Sequence, residues 1–80
     1  MKELVEYIVA SLVDNPDEVA VAEVDNGSET VLELTVNGSD MGRVIGKNGR
    51  VINSIRTLVQ VSAAKQGKQV TVELVEPEDR

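Results

Sequence analysis

Cysteine and histidine are both missing from this 80-residue sequence, as are phenylalanine and tryptophan. Without cysteine, no disulfide, thiolate nucleophile or cysteine-based zinc site can form. Without histidine, the commonest general base and the commonest metal ligand are gone as well. The five serines therefore lack an imidazole partner, and no two carboxylates have a spacing that demands catalysis. No enzymatic activity, metal or cofactor is expected. No apolar run approaches the roughly 20 residues of a membrane span. The N-terminal MKELVEYIVASL carries Glu3 and Glu6 where a signal peptide would be uncharged. These exclusions leave a soluble, cytoplasmic protein with no membrane association.

What is present is unevenly spread. The net charge is −6, which on its own argues against a polyanionic partner. Residues 1–40, however, hold ten acids and one base, whereas residues 41–72 hold six bases and no acid, and residues 73–80 hold four acids and one base. The segment charges of −9, +6 and −3 return the total. Arg43, Lys47, Arg50, Arg56, Lys65 and Lys68 thus form one cationic segment inside an acidic chain, a positioned charge with no general stickiness.

Length allows one small domain, residues 1–80, with 76–80 (EPEDR) as an acidic flexible tail. Leu4, Val5, Ile8, Val9 and Leu12 have helical spacing and predict a helix over 2–13, ended by Asn15-Pro16, with Tyr7 at the edge of its core face. EVAVAEV (18–24) reads as a strand, Asn26-Gly27 as a two-residue hairpin turn, and the alternating TVLELTV (30–36) as its partner. Ser39 or Asp40 is positioned to cap a short helix over about 40–45. A long helix over about 50–65 follows. Its core face carries Val51, Ile52, Ile55, Leu58, Val59, Ser62 and Ala63, and Gly67 serves as its C-cap. QVTVELV (69–75) is the last strand, reached by a helical crossover and so parallel to the second. The expected fold is α+β with two layers: order α-β-β-α-α-β, a three-stranded mixed sheet, helices on one face.

Between the short and long helices lies MGRVIGKNGRVI, with glycines at 42, 46 and 49. Glycine turns that lead into helices often hold phosphates, because free N–H groups and the positive helix end face outward. A Walker loop is excluded, since Gly42 to Gly46 is one residue short and Asn48 stands where Ser or Thr would bind magnesium. A dinucleotide fingerprint is excluded because a helix, not a strand, precedes the turn. A helix–GKNG–helix turn remains, in which Gly46 and Gly49 allow left-handed geometry and close backbone approach.

Ile45 to Ile52, IGKNGRVI, resembles the I-G-x-x-G-x-x-I signature of KH domains, whose GXXG loop clamps about four nucleotides of a single strand. With its N-terminal helix and strand, the element order is similar to the type II KH arrangement. The length and the acidic ends around a basic centre resemble the bacterial single-KH KhpA family. The resemblance implies single-stranded RNA binding and a role as RNA chaperone or post-transcriptional regulator. It also implies pairing with a KhpB/Jag-like KH protein and a link to cell-wall homeostasis and cell-length control.

Carried over by position, Gly46, Lys47, Asn48 and Gly49 form the clamp, and Arg43 and Arg50 reach phosphates. Ile45 and Ile52 flank the clamp and hold the helices at the groove angle, a position that also suits core residues. Leu32 to Val36 supply the sheet side of the groove. With no aromatic there for stacking, base preference is expected to be weak. Lys65 and Lys68 are equally explained as partners of the helix dipole. Gly46→Asp with Gly49→Asp reads as the natural loss-of-function pair. A rival reading is a protein-interaction or dimerisation module in which RNA is incidental; a small-molecule regulatory domain leaves the glycine turn unexplained. Opposite the core face of the long helix, Asn53, Thr57, Gln60, Val61 and Ala64 form an uncharged strip, read as a helix-to-helix contact for a homodimer or for the KhpB/Jag-like partner.

Overall fold

The computed structural model describes residues 1–76; the expected tail, apart from Glu76, lies outside them. Helix α1 (Lys2–Ala10) is followed by a 3-10 turn (Pro16–Glu18) and strands β1 (Ala20–Asp25) and β2 (Thr30–Thr35). A second 3-10 turn (Gly38–Asp40) leads into α2 (Met41–Ile45), and a third (Lys47–Gly49) joins α2 to α3 (Arg50–Lys65), after which β3 (Val70–Leu74) is the last element among the described residues. The sheet order is β1-β2-β3, antiparallel between the first two and parallel between the last two. Helix α1 packs on β1 and α3 on β3, which gives the expected two-layer α+β architecture.

Register follows from burial. Val21 faces Leu34 across β1 and β2, and Leu32 faces Val72 across β2 and β3, so one face of the sheet is apolar. Val5 and Val9 of α1, Val44 of α2, and Ile52, Ile55, Val59 and Ala63 of α3 close over it. The core is entirely aliphatic. Each fully buried Val, Leu or Ile contributes roughly 1.5–3 kcal/mol, and no ring demands a particular packing angle.

Several local expectations are corrected. Helix α1 ends at Ala10, three residues early, where Ser11 caps it and its hydroxyl donates back to the Tyr7 carbonyl at 2.9 Å. Tyr7 is not at the edge of the core: it is 75% exposed. The hairpin tip is Gly27-Ser28, because the Asn26 N–H donates to the Glu29 carbonyl and so pairs those two residues. Gly27 has φ +99° and holds the first tip position, where a II′-type turn favours glycine. On α3 the buried stripe runs Ile52, Ile55, Val59, Ala63; Leu58 lies about 100° from its centre at 100° per residue and is 56% exposed, out of the core. Gln66 is the C-cap of α3, and Gly67 (φ +70°) is the residue after it. The Lys68 N–H reaches the Ala63 carbonyl at 2.9 Å and the Gly67 N–H the Ala64 carbonyl at 3.0 Å, forming a Schellman motif.

Asp40 departs furthest from its expected role. It precedes α2 but caps nothing there. Its side chain turns back to accept from the Asp14 N–H (3.2 Å), the Asn15 N–H (3.1 Å) and the Asn15 Nδ2 (3.0 Å). Capping in this turn falls to Asn37, whose Oδ1 accepts from the Ser39 N–H at 2.8 Å. Asp40 is the buried charged residue among those described, and it ties the α1–β1 loop to the start of α2.

Candidate nucleic-acid interface

The turn between α2 and α3 is built from three left-handed residues within four. Gly46 has φ +76° and ψ 176°, Asn48 φ +58° and ψ 29°, and Gly49 φ +73° and ψ 14°. Asn48 is the sole non-glycine residue with positive φ among those described. Asparagine tolerates this region better than most residues, so its place in GKNG is conformational as well as chemical. The turn is held by Gly46 N–H to Gly42 carbonyl (2.9 Å) and Gly49 N–H to Gly46 carbonyl (3.2 Å).

Gly46 and Gly49 have different reasons to be glycine. A Cβ on Gly46 would collide with the Val51 Cγ2 and lie 2.9 Å from the Val51 backbone nitrogen. The close approach at Gly46 is therefore made by the first turn of α3 itself. A Cβ on Gly49 would meet nothing nearer than the Asn53 Nδ2 at 3.5 Å. Gly46→Asp would damage the fold, so the glycine pair proposed from sequence is a poor probe of binding.

Lys47, Asn48 and Arg50 are exposed around this turn. No side chain caps the N-terminus of α3, but the 3-10 turn takes up its leading N–H groups, that of Gly49 donating to the Gly46 carbonyl and that of Arg50 to the Lys47 carbonyl. The turn is left with the positive end of the helix dipole and the exposed Lys47 and Arg50 cations. Arg43 stands one helical turn before Gly46, exposed, with Nη2 3.4 Å from Asp14 Oδ2. Ile45 is 36% exposed and offers an apolar surface beside the turn. Ile52, at 6%, belongs to the core and acts on the turn from beneath.

The remaining cations lie elsewhere. Arg56 Nε donates to the Val72 carbonyl and its Nη1 to Asn53 Oδ1, both at 3.0 Å, so this guanidinium fastens α3 to the edge of β3. Lys65 is 15 residues beyond Arg50, about 22 Å along the helix axis at 1.5 Å per residue, and Lys68 is farther still. Leu32, Leu34 and Val36 are fully or nearly fully buried, at 0%, 0% and 2% exposure. They cannot lie against bases as expected, because β2 is the central strand and its apolar face is the core. The strand edge beside α3 belongs to β3. Asn53, Thr57, Gln60, Val61 and Ala64 are all exposed. Leu58 sits beside them, so the uncharged strip is more apolar than expected. A depression of about 560 Å³ on this side is bordered by Arg50, Asn53, Ser54, Thr57 and Leu58; one helix supplies the whole border, which makes it surface relief and no ligand cavity. No cluster of three acidic side chains suited to a metal occurs among the described residues, and no helix among them is long and apolar enough to cross a membrane.

A family model described as KhpA/KhpB, KH domain, matches residues 2–74. The chain belongs to this family. A protein of Clostridium acetobutylicum named RNA-binding protein KhpA is 51% identical over 75 residues, spanning 94% of this chain and 100% of the relative. Its namesake in Clostridium perfringens is 52% identical over the same spans, and that of Borreliella burgdorferi 45% identical over 74 residues, 92% of this chain and 90% of the relative. The GKNG turn lies within the matched residues, and there the left-handed backbone and the exposed cations coincide.

Proposed function

We propose that the chain binds single-stranded RNA through the Gly46–Gly49 turn. The observation that carries this reading is the turn itself: three left-handed residues lead into an uncapped helix N-terminus with Lys47 and Arg50 exposed beside it. A sugar-phosphate backbone crossing there meets the positive end of the helix dipole and two cations. Arg43 adds a third, and Ile45 gives a base an apolar rest. The name RNA-binding protein KhpA, carried by relatives over nearly the full chain, supports the assignment. Base preference is weak, for want of an aromatic near the turn.

One clamp touches few phosphates and binds weakly, so the protein acts with a second KH unit. The uncharged strip Asn53, Thr57, Gln60, Val61 and Ala64 is the surface for it, in a homodimer or with a KhpB/Jag-like partner. Its setting is the cytoplasm, as RNA chaperone or post-transcriptional regulator bearing on cell-wall homeostasis and cell length.

The test is Lys47→Asp with Asn48→Asp. Aspartate tolerates the left-handed backbone at position 48, so the turn persists while charge is reversed against the phosphates. Lost charge-assisted hydrogen bonds and added repulsion cost about 2–4 kcal/mol of RNA binding. Unchanged affinity in the folded double variant refutes the clamp.

A further inference from the structure

One acidic side chain stands inside the cationic site, and its placement is specified by the fold. Asp14 lies in the loop between α1 and β1, remote in sequence from the GKNG turn, yet its carboxylate is 3.4 Å from the Arg43 guanidinium. Both side chains are solvent-exposed, at 59% for Arg43 and 70% for Asp14, which by itself marks an ordinary surface pair. What sets it apart is its support. The buried Asp40 carboxylate accepts from the Asp14 N–H and from both the N–H and the side-chain amide of Asn15. Asp40 directly precedes α2, the helix that carries Arg43. Loop and helix are thereby locked together, and the Asp14 carboxylate is held over the one clamp-side cation that has an anionic partner among the described residues.

We infer that Asp14 is a competitor for phosphate built into the site: RNA binding exchanges the Asp14 carboxylate for a phosphate on Arg43. The inference rests on the RNA-binding reading of the GKNG turn. In the free protein Arg43 is partly neutralised and its side chain is directed toward the loop. A phosphate on the turn must displace Asp14 or share the guanidinium with it, and either outcome leaves a carboxylate close to the RNA backbone. Arg43 can offer a phosphate two parallel N–H donors, which the longer single contact to Asp14 does not use, so the exchange runs toward RNA. Asp14 lowers affinity without abolishing it, which suits a protein that must release its strand.

The experiment is a mutant cycle on the full chain, with binding of a fluorescein-labelled single-stranded RNA read by anisotropy at several salt concentrations. Asp14→Asn keeps the side-chain size and removes the charge. It tightens binding by about two- to fivefold, the span expected for an exposed ion pair, and the gain shrinks as salt rises. Arg43→Gln weakens binding. In an Arg43→Gln background, Asp14→Asn brings no gain. Glu73→Gln, an identical charge change on the sheet face away from the helices, leaves affinity within twofold and controls for net charge. Unchanged or weaker binding by Asp14→Asn overturns the inference, as does a gain that persists without Arg43, since that is general repulsion. Loss of binding by Lys47→Asp/Asn48→Asp alongside an unaffected Asp14→Asn leaves the clamp standing and removes the exchange. An undiminished Lys47→Asp/Asn48→Asp variant removes the clamp, and the cycle between Asp14 and Arg43 then decides the exchange alone.

Discussion

Replacing Gly46 and Gly49 in turn by alanine separates the steric demand of packing from that of backbone conformation alone. At Gly46 the backbone has φ +76° and ψ 176°, a region almost closed to residues with a side chain, where occupancy costs on the order of 1–3 kcal/mol. The added methyl also collides with the Val51 side chain and sits 2.9 Å from the Val51 nitrogen. That nitrogen belongs to the first turn of α3 and can move only if the helix start unwinds, an overpacking term of about 1–3 kcal/mol. Gly46→Ala should therefore lose about 3–5 kcal/mol, against a total of about 4–12 kcal/mol for a chain of this length. At Gly49 the left-handed conformation alone is penalised, by about 1–2 kcal/mol, since the nearest atom is 3.5 Å away. Urea unfolding followed by far-UV circular dichroism is the appropriate assay, because the chain has no tryptophan. At roughly 4–8 °C per kcal/mol for a domain this small, the two variants should also differ visibly in Tm. Equal destabilisation of the two variants, or a Gly46→Ala within about 1 kcal/mol of wild type, contradicts the steric account at the scale these terms predict.

Three further expectations concern other links in the chain of cause. A clamp touching about two to four phosphates gives a log–log salt slope near −1.5 to −3 for single-stranded RNA, at about 0.7 per contact; a much steeper slope, or nanomolar binding by a proven monomer, excludes it. Val61→Asp places a charge in the middle of the uncharged strip at a position 54% exposed, so the fold survives while self-association fails; sedimentation across concentrations detects this, and a mutant that still dimerises moves the interface elsewhere. Burial pushes the Asp40 carboxyl up, but the Asn15 amide, the Asp14 and Asn15 N–H groups and nearby Arg43 together hold it below its ordinary value of 3.8. A depressed carboxyl stabilises the fold above its unfolded pKa and loses that contribution as pH falls below 3.8. Urea midpoints of wild type should therefore drop faster than those of Asp40→Asn on acidification through that window, and parallel curves refute the assignment.

Much of the architecture was readable because its causes are local or periodic. Alternation in β2 and β3 set which side chains face inward, and the crossover through two helices made their pairing parallel. Arg50 to Lys65 kept helical spacing over its full length, so α3 was legible as a helix over about 50–65. Ser11 ended α1 early because a hydroxyl that can bond its own backbone competes with further helix, a close contest that periodicity does not register. The hairpin tip shifted by one residue because register is decided across two strands, while Asn26-Gly27 is a preference of the turn alone. Leu58 was misplaced because seven positions on α3 were assigned to the core when the sheet covers a narrower stripe.

At the site, composition and spacing by themselves determined that a helix–GKNG–helix turn exists, that it is cationic, and that nucleotide-loop readings fail. They also singled out the glycine turn Gly46 to Gly49; the role of its four residues as a clamp was implied by the resemblance to KH domains. Only the tertiary structure distinguished Gly46, packed against Val51, from the open Gly49, and Ile45 at the surface from Ile52 in the core. It alone showed that Arg56 is spent on the β3 edge, that Leu32, Leu34 and Val36 are sealed, and that Asp40 carries Asp14 to Arg43. The division has a physical reason. A residue type and its spacing fix backbone preferences within a few residues, whereas which cation stays free depends on partners brought together from residues 14, 40 and 43, and that meeting is made by packing.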